Sequence, residues 1–262
     1  MIRSPDDPIP YNSPVSDLKS KTVVITGGAR RLGRATALAM AGAGADIAIT
    51  YLGSADHAQQ TFAEIERTGA KALIVECDVR REDSVTHAVE QVLSRFGGID
   101  VLVNNAGIFL SGAFENITLA QWDDVFATNV RGPFLVSKLC LPALRKSRGR
   151  IIHMGSLGGI EAWATHAHYC SSKAALHMLT RVMAKALAPE IAVNCVAPGM
   201  IDIVTDPGRG KRDAEFFNRM ATKTPMKKNG TAEDVAAAVL YFATASHFIT
   251  GQILTVDGGL GL

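Results

Sequence analysis

Ser156, Tyr169 and Lys173 follow one another in an order that suits proton transfer. Tyr169 and Lys173 are four residues apart, so on a helix they share one face and reach the same ligand. A free phenol titrates near ~10 and is a poor acid or base at neutral pH. An adjacent ammonium favours the phenolate and brings it closer to the useful range. A serine hydroxyl thirteen residues before the tyrosine, at the end of a strand-like run, can hydrogen-bond a carbonyl and stabilise charge developing on its oxygen. Tyr-x-x-x-Lys alone also describes an exposed tyrosine beside a solvated lysine, so its surroundings must support the chemistry.

The second group is TGGARRLG, residues 26–33, between a β-branched run and a helical pattern. Glycines there let the backbone approach a pyrophosphate, and a helix N-terminus offers free N–H groups and partial positive charge. The next strand-like run ends in Thr50, Tyr51, Leu52, Gly53 and Ser54, with no acid until Asp56. A carboxylate at this point would serve ribose hydroxyls and repel a 2′-phosphate, whereas Ser54 and Arg30 can receive one. NADP is therefore preferred to NAD, and Asp56 is read as a helix N-terminal residue.

Short apolar runs must position these groups: KTVVIT (21–26), DIAITY (46–51), KALIVEC (71–77), IDVLVNN (99–105), RIIHMG (150–155), IAVNCVA (191–197) and QILTVD (252–257). Between them apolar residues recur at helical spacing over 32–42, 55–68, 82–96, 119–144, 168–187 and 232–245. Strand and helix in alternation predict an α/β Rossmann fold, one doubly wound, seven-stranded parallel sheet with helices on both faces. Residues 1–20 hold four of the ten prolines and read as an irregular N-terminal arm; 21–262 read as one domain. The segment 199–231 follows the sixth strand without a clear strand of its own. It is therefore expected to cover a substrate.

A net charge of +2 gives no reason to expect a nucleic-acid or anionic-membrane surface. No apolar run approaches the ~20 residues that span a bilayer. Cys77, Cys140, Cys170 and Cys195 lie far apart without a CxxC pair, which argues against a disulfide framework or a zinc cluster and for a reducing cytoplasm. No metal is expected.

The loop, the NNAG string at 104–107, Ser156 and YCSSK at 169–173 together resemble the short-chain dehydrogenase/reductase family over residues 21–259. Gly27 and Gly33 fit the family's TGxxxGxG loop, but Arg31 stands where its middle glycine belongs. The resemblance implies hydride transfer between a nicotinamide and a carbonyl or alcohol. Tyr169 would be acid or base, Ser156 the carbonyl's partner, Lys173 the ribose contact, and Asn129 a support for a water and proton relay. It implies cofactor contacts from Gly27, Arg30, Arg31, Leu32, Gly33, Tyr51, Ser54, Asp78, Val79, Asn105, Ala106, Gly107, Tyr169, Lys173, Pro198 and Gly199. It also implies a homotetramer packed through the helices at 119–144 and 168–187.

For the substrate, the chain resembles 3-oxoacyl-carrier reductases and sugar or polyol dehydrogenases equally; Phe109, Ser156 and Trp163 are the candidate contacts. Arg31 and Phe109 also resemble pteridine reductases, against which stands Ser156, where those relatives tend to carry aspartate. His166, His168 and Cys170 read as bystanders or packing residues. The basic residues Arg209, Lys211, Arg212, Lys223, Lys227 and Lys228 read as a solvated lid. A non-enzymatic NADP-binding regulator is the alternative of another class, but it would not need Ser156, Tyr169 and Lys173 together.

Overall fold

The computed structural model describes residues 17–203 and 211–262. Its strands are β1 (Thr22–Ile25), β2 (Asp46–Tyr51), β3 (Ala72–Glu76), β4 (Val101–Asn104), β5 (Arg150–Met154), β6 (Ala192–Pro198) and β7 (Ile253–Val256). Its helices are α1 (Arg31–Gly42), α2 (Ala55–Arg67), α3 (Glu82–Phe96), α4 (Leu119–Phe126), α5 (Gly132–Ser147), α6 (Ala167–Ala186), α7 (Lys211–Lys223) and α8 (Ala232–Thr244). All seven strands pair in parallel in the order β3-β2-β1-β4-β5-β6-β7. The order reverses between β1 and β4, which opens a crevice outside the strands' carboxyl ends.

Alternate residues of each strand feed opposite layers. Val23 and Ile25 enter a core with Met40 of α1 and Val235, Val239 and Phe242 of α8. Val24 enters the other, with Val92 of α3 and Val136 and Leu144 of α5. Each such side chain contributes about 1.5–3 kcal/mol on full burial, so the apolar runs are legible as strands because both sheet faces are covered. Capping boxes, Thr118 with Gln121 and Thr231 with Asp234, start α4 and α8.

One expectation needs correction, and the structure adds detail to two other segments. The helix predicted over 119–144 is two helices joined by a π-turn, Ala127–Arg131. Apolar spacing runs on through such a turn, so periodicity cannot reveal it. The segment 199–231 carries α7, whose strongly amphipathic stripe the turn-rich flanks mask. Of the arm, residues up to 16 lie outside the described residues; Leu18 is buried in the core and its N–H donates to the Ala43 carbonyl.

Candidate functional site

The loop after β1 is built against the end of β4. Thr26 Oγ1 accepts from the N–H groups of both Asn105 and Ala106 at 3.0 Å. Asn105 Nδ2 donates to the carbonyls of Thr26 and Gly27 at 2.8 and 2.9 Å. Asn105 thus holds the loop in place against the end of β4. Gly27 sits at φ +63°, and a Cβ on Gly33 would strike the Gly27 carbonyl oxygen and lie 2.6 Å from Asn105 Nδ2. Residues 27–33 therefore form a tight cradle, packed on itself and on the end of β4 so closely that positions 27 and 33 have room only for glycine. The first turn of α1 has no side-chain cap and no acid, so its N–H groups suit a pyrophosphate, and the cradle fits a dinucleotide. Arg31 holds the left-handed conformation of the glycine it replaces, φ 54°, and is exposed, as is Arg30. Leu32 is half-buried against the core on the α1 side.

At the end of β2, Tyr51 and Ser54 are half-buried and Asp56 is exposed in the first turn of α2. Arg34 is committed to Glu64, Nη2 to Oε2 at 2.6 Å, which leaves Arg30 and Arg31 as the cations of the loop. At the end of β3, Val79 is buried, and Asp78 is held by the bidentate Arg80 guanidinium, Nε to Oδ1 at 2.9 Å and Nη2 to Oδ2 at 2.8 Å. That contact pulls the Asp78 carboxyl below its usual range. Asp78 therefore meets any adenine with both oxygens already engaged. Gly107 lies where a Cβ would stand 3.1 Å from Asn129 Oδ1, and Gly199, after Pro198 at the end of β6, would bring one to 2.6 Å from Asp257 Cβ.

β5 and α6 bring the three chemical residues together. Ser156 is buried just beyond β5, its Oγ accepting from Gly158 N at 3.1 Å. The Ser156 side chain faces the Tyr169 hydroxyl and acts to lower its pKa. Lys173, buried, donates from Nζ to the Met154 carbonyl at 2.8 Å and lies 5.8 Å from the Tyr169 ring centroid. Burial raises the Tyr169 pKa above its ordinary value. The Lys173 ammonium is turned to the Met154 carbonyl, and Ser156 is the group that opposes the rise. Burial also draws Lys173 down to about 8, so it remains mostly charged at neutral pH.

Asn129 lies in the π-turn and is fully buried. Its Oδ1 accepts from Ile108 N at 2.9 Å, and its Nδ2 donates to the Ile108 carbonyl at 3.0 Å and Ser172 Oγ at 3.1 Å. Its side chain thus clamps the chain after NNAG to α6. Phe109 is more than half exposed and packs on Tyr169, ring centroids 4.7 Å apart and edge-on, and on His166, 4.7 Å apart and stacked. Trp163 stacks on Tyr169 at 6.2 Å. Aromatic surface therefore surrounds the phenol, and His166, read as a bystander, belongs to it. His168 is buried, its Nδ1 accepting from Tyr169 N at 3.0 Å, and Cys170 packs toward Gly158. Arg209 lies outside the described residues. Among the described residues no His, Cys, Asp and Glu cluster could hold a metal, and no helix is long and apolar enough to cross a membrane. Sequence reasoning missed Thr26 and His177; a histidine on the apolar stripe of α6, four residues after Lys173, was the available signal.

A glycine loop at the switch point and a Ser–Tyr–Lys cluster beyond β5 are the arrangement of an oxidoreductase site on this fold. The comparisons agree. Residues 27–261 match the family model described as Enoyl-(Acyl carrier protein) reductase. The 3-oxoacyl-(acyl-carrier-protein) reductase FabG of Staphylococcus epidermidis is 35% identical over 244 residues, 92% of this chain and 99% of that protein. A short-chain dehydrogenase from Burkholderia cenocepacia J2315 in complex with NADP superposes with TM-score 0.87 at 36% identity, over 94% of this chain and 100% of that one. A short-chain dehydrogenase/reductase from Serratia marcescens does so with TM-score 0.87 at 35% identity, over 94% and 100%. The chain belongs to the short-chain dehydrogenase/reductase family and is an oxidoreductase acting on CH–OH or C=O groups.

Proposed function

We propose that the protein is an NADP-dependent reductase of carbonyl compounds, of the 3-oxoacyl, sugar or small-ketone type, with Tyr169 as proton donor in reduction and acceptor in oxidation. The observation that carries this reading is the buried Lys173 ammonium 5.8 Å from the Tyr169 ring, one helical turn on, with Ser156 facing the phenol. When bound, the nicotinamide supplies or receives the hydride. Ser156 orients the substrate oxygen and Tyr169 exchanges the proton with it. Lys173 binds the ribose side of the cofactor and Asn129 supports the site through Ile108. NADPH oxidation against β-ketoacyl thioesters, sugars, small ketones, quinones and dihydropterins tests this; no oxidation with any carbonyl would leave a binding protein only.

NADP preference rests on Ser54, Arg30 and Arg31 with no acid at the β2 end; the Burkholderia relative was solved with NADP. Ser54→Asp is expected to weaken NADPH by about tenfold or more through like-charge repulsion, and steady-state KM values for NADPH and NADH measure it. Arg31→Gly is expected to raise stability by about 1 kcal/mol, since the left-handed conformation suits glycine. If Arg31 holds a phosphate, the same variant binds NADPH about tenfold more weakly; calorimetry of unfolding and of binding reads both.

A second reading, reduction of a pteridine or dihydrofolate, is favoured by Phe109, whose half-exposed ring beside Tyr169 suits a flat substrate. The dihydropterin arm of the panel decides it. We read the assembly as a cytoplasmic homotetramer, supported by Phe134 on α5 and Met178 and Val182 on α6, large apolar side chains exposed on the two helices expected to pack.

A further inference from the structure

We propose that His177 is a positioning residue for Ser156: its imidazole fastens the serine-bearing turn to the helix that carries Tyr169 and Lys173. The inference rests on the proposed reading of the site and adds the part that holds its geometry. His177 Nε2 accepts from the Ser156 backbone N–H at 3.4 Å, and the other side of the ring lies against Gly159, where a built Cβ would stand 2.9 Å from Nδ1. With Nε2 accepting, the ring proton sits on Nδ1. One imidazole thus touches both ends of the turn Leu157–Gly159.

The sequence around the ring is shaped to admit it. A Cβ on Gly155 would strike His177 Nε2 and lie 2.6 Å from Cys195 Sγ. A Cβ on Gly159 would lie 2.6 Å from His177 Cε1 and 2.8 Å from the Lys173 carbonyl carbon. Two glycines flank the serine because the ring passes against the backbone on either side of it. His177 and Lys173 act on the same end of β5, four residues apart on α6. Lys173 takes the Met154 carbonyl and His177 the Ser156 N–H, so strand end and helix cannot slide without losing both bonds.

The ring must be neutral to accept from Ser156. The groups facing it are Lys173 and Arg181 of its own helix, His153 of β5 and Cys195 of β6. Burial, reinforced by the Lys173 and Arg181 charges, pulls its pKa down to about 4, so Nε2 keeps its lone pair throughout the working range. The protein holds His177 as a fixed acceptor.

Four proteins test this: Ser156→Ala, His177→Phe, His177→Gln and the double variant Ser156→Ala/His177→Phe, assayed with NADPH and acetoacetyl-CoA. His177→Phe keeps a ring between the glycines but offers no acceptor; His177→Gln keeps an acceptor near Nε2. The expected result is a kcat about 10- to 100-fold lower in His177→Phe, as for a reacting group displaced by about an ångström, and mostly restored in His177→Gln. NADPH binding, read by fluorescence titration, stays within about twofold in both, which separates positioning from unfolding of the cofactor site. The alkaline limb of the reduction profile moves to higher pH in His177→Phe, because Tyr169 loses the Ser156 side chain that favours its phenolate. In the Ser156→Ala background, His177→Phe costs nothing further, as expected of a residue that acts through Ser156. Amide hydrogen exchange over 155–159 quickens in His177→Phe and not in His177→Gln. Full turnover in His177→Phe with a crippled Ser156→Ala overturns the clamp alone, as does an equal loss in both backgrounds. Full turnover in Ser156→Ala overturns the site reading on which it rests.

Discussion

Tyr169→Phe is expected to bind NADPH within about twofold of the parent and to lose roughly 10³-fold in turnover, within the range that general acid–base groups contribute. The ring itself is held by Phe109, Trp163 and His166, contacts that phenylalanine keeps. Only the hydroxyl that faces Ser156 goes, and it is the part assigned to the proton. The loss should fall on kcat, because the cofactor cradle is made by the loop after β1 and the end of β4. The pH dependence has a definite sign. Burial raises the phenol above its ordinary pKa, so the hydroxyl keeps its proton at neutral pH and suits reduction. Reduction should hold steady at neutral pH and decline as alkali removes that proton, while oxidation of an alcohol should rise over the same range. Initial rates in both directions across pH, with and without the substitution, check this.

Lys173→Met is expected to be inactive, by about 100-fold or more, in a protein that melts at or above the parent at pH 7. Lys173 is buried and its pKa is drawn down to about 8 from 10.5. Its ammonium therefore costs folding free energy wherever it is charged, on the order of 3 kcal/mol from a shift of that size. The unfolded chain binds the proton more tightly, so stability rises with pH between about 8 and 10.5, and below 8 the whole cost is present. Methionine fills the same unbranched volume without that charge, although the Met154 carbonyl loses its donor. The stability gain should thus be largest at neutral pH and vanish above the unfolded lysine's pKa, which calorimetric unfolding at several pH values will show. A costly buried charge beside a proton-transfer group is what a functional lysine looks like.

Much of this arrangement was legible in the residues. The seven strands could be read because a sheet covered on both faces leaves runs such as VVI and VLV uninterrupted by polar residues. Tyr169 and Lys173 could be paired because four residues make little more than one turn. Arg31 could be recognised as misplaced, and its left-handed φ of 54° shows that the backbone keeps the glycine conformation. What escaped depends on distance in space. The π-turn leaves no mark on apolar spacing, and the Asn129 clamp on Ile108 that it carries joins residues 21 apart. The contacts of Asn105 to Thr26 and Gly27 and of Asp78 to Arg80 escaped too, since no local pattern reveals those partners. His177 was passed over because a histidine on a helix is ordinary until the backbone of Ser156 and Gly159 is seen against it.

The central claim is that the phenol of Tyr169 faces the reacting carbon of a nicotinamide laid over the carboxyl ends of the sheet. A crystal structure of the NADPH complex measures that distance. One carbonyl group fits between hydroxyl and pyridine ring, so Tyr169 Oη should lie about 4–5 Å from nicotinamide C4. A nicotinamide bound well away from Tyr169, or a hydroxyl walled off from the ligand by Phe109 and Trp163, would contradict it.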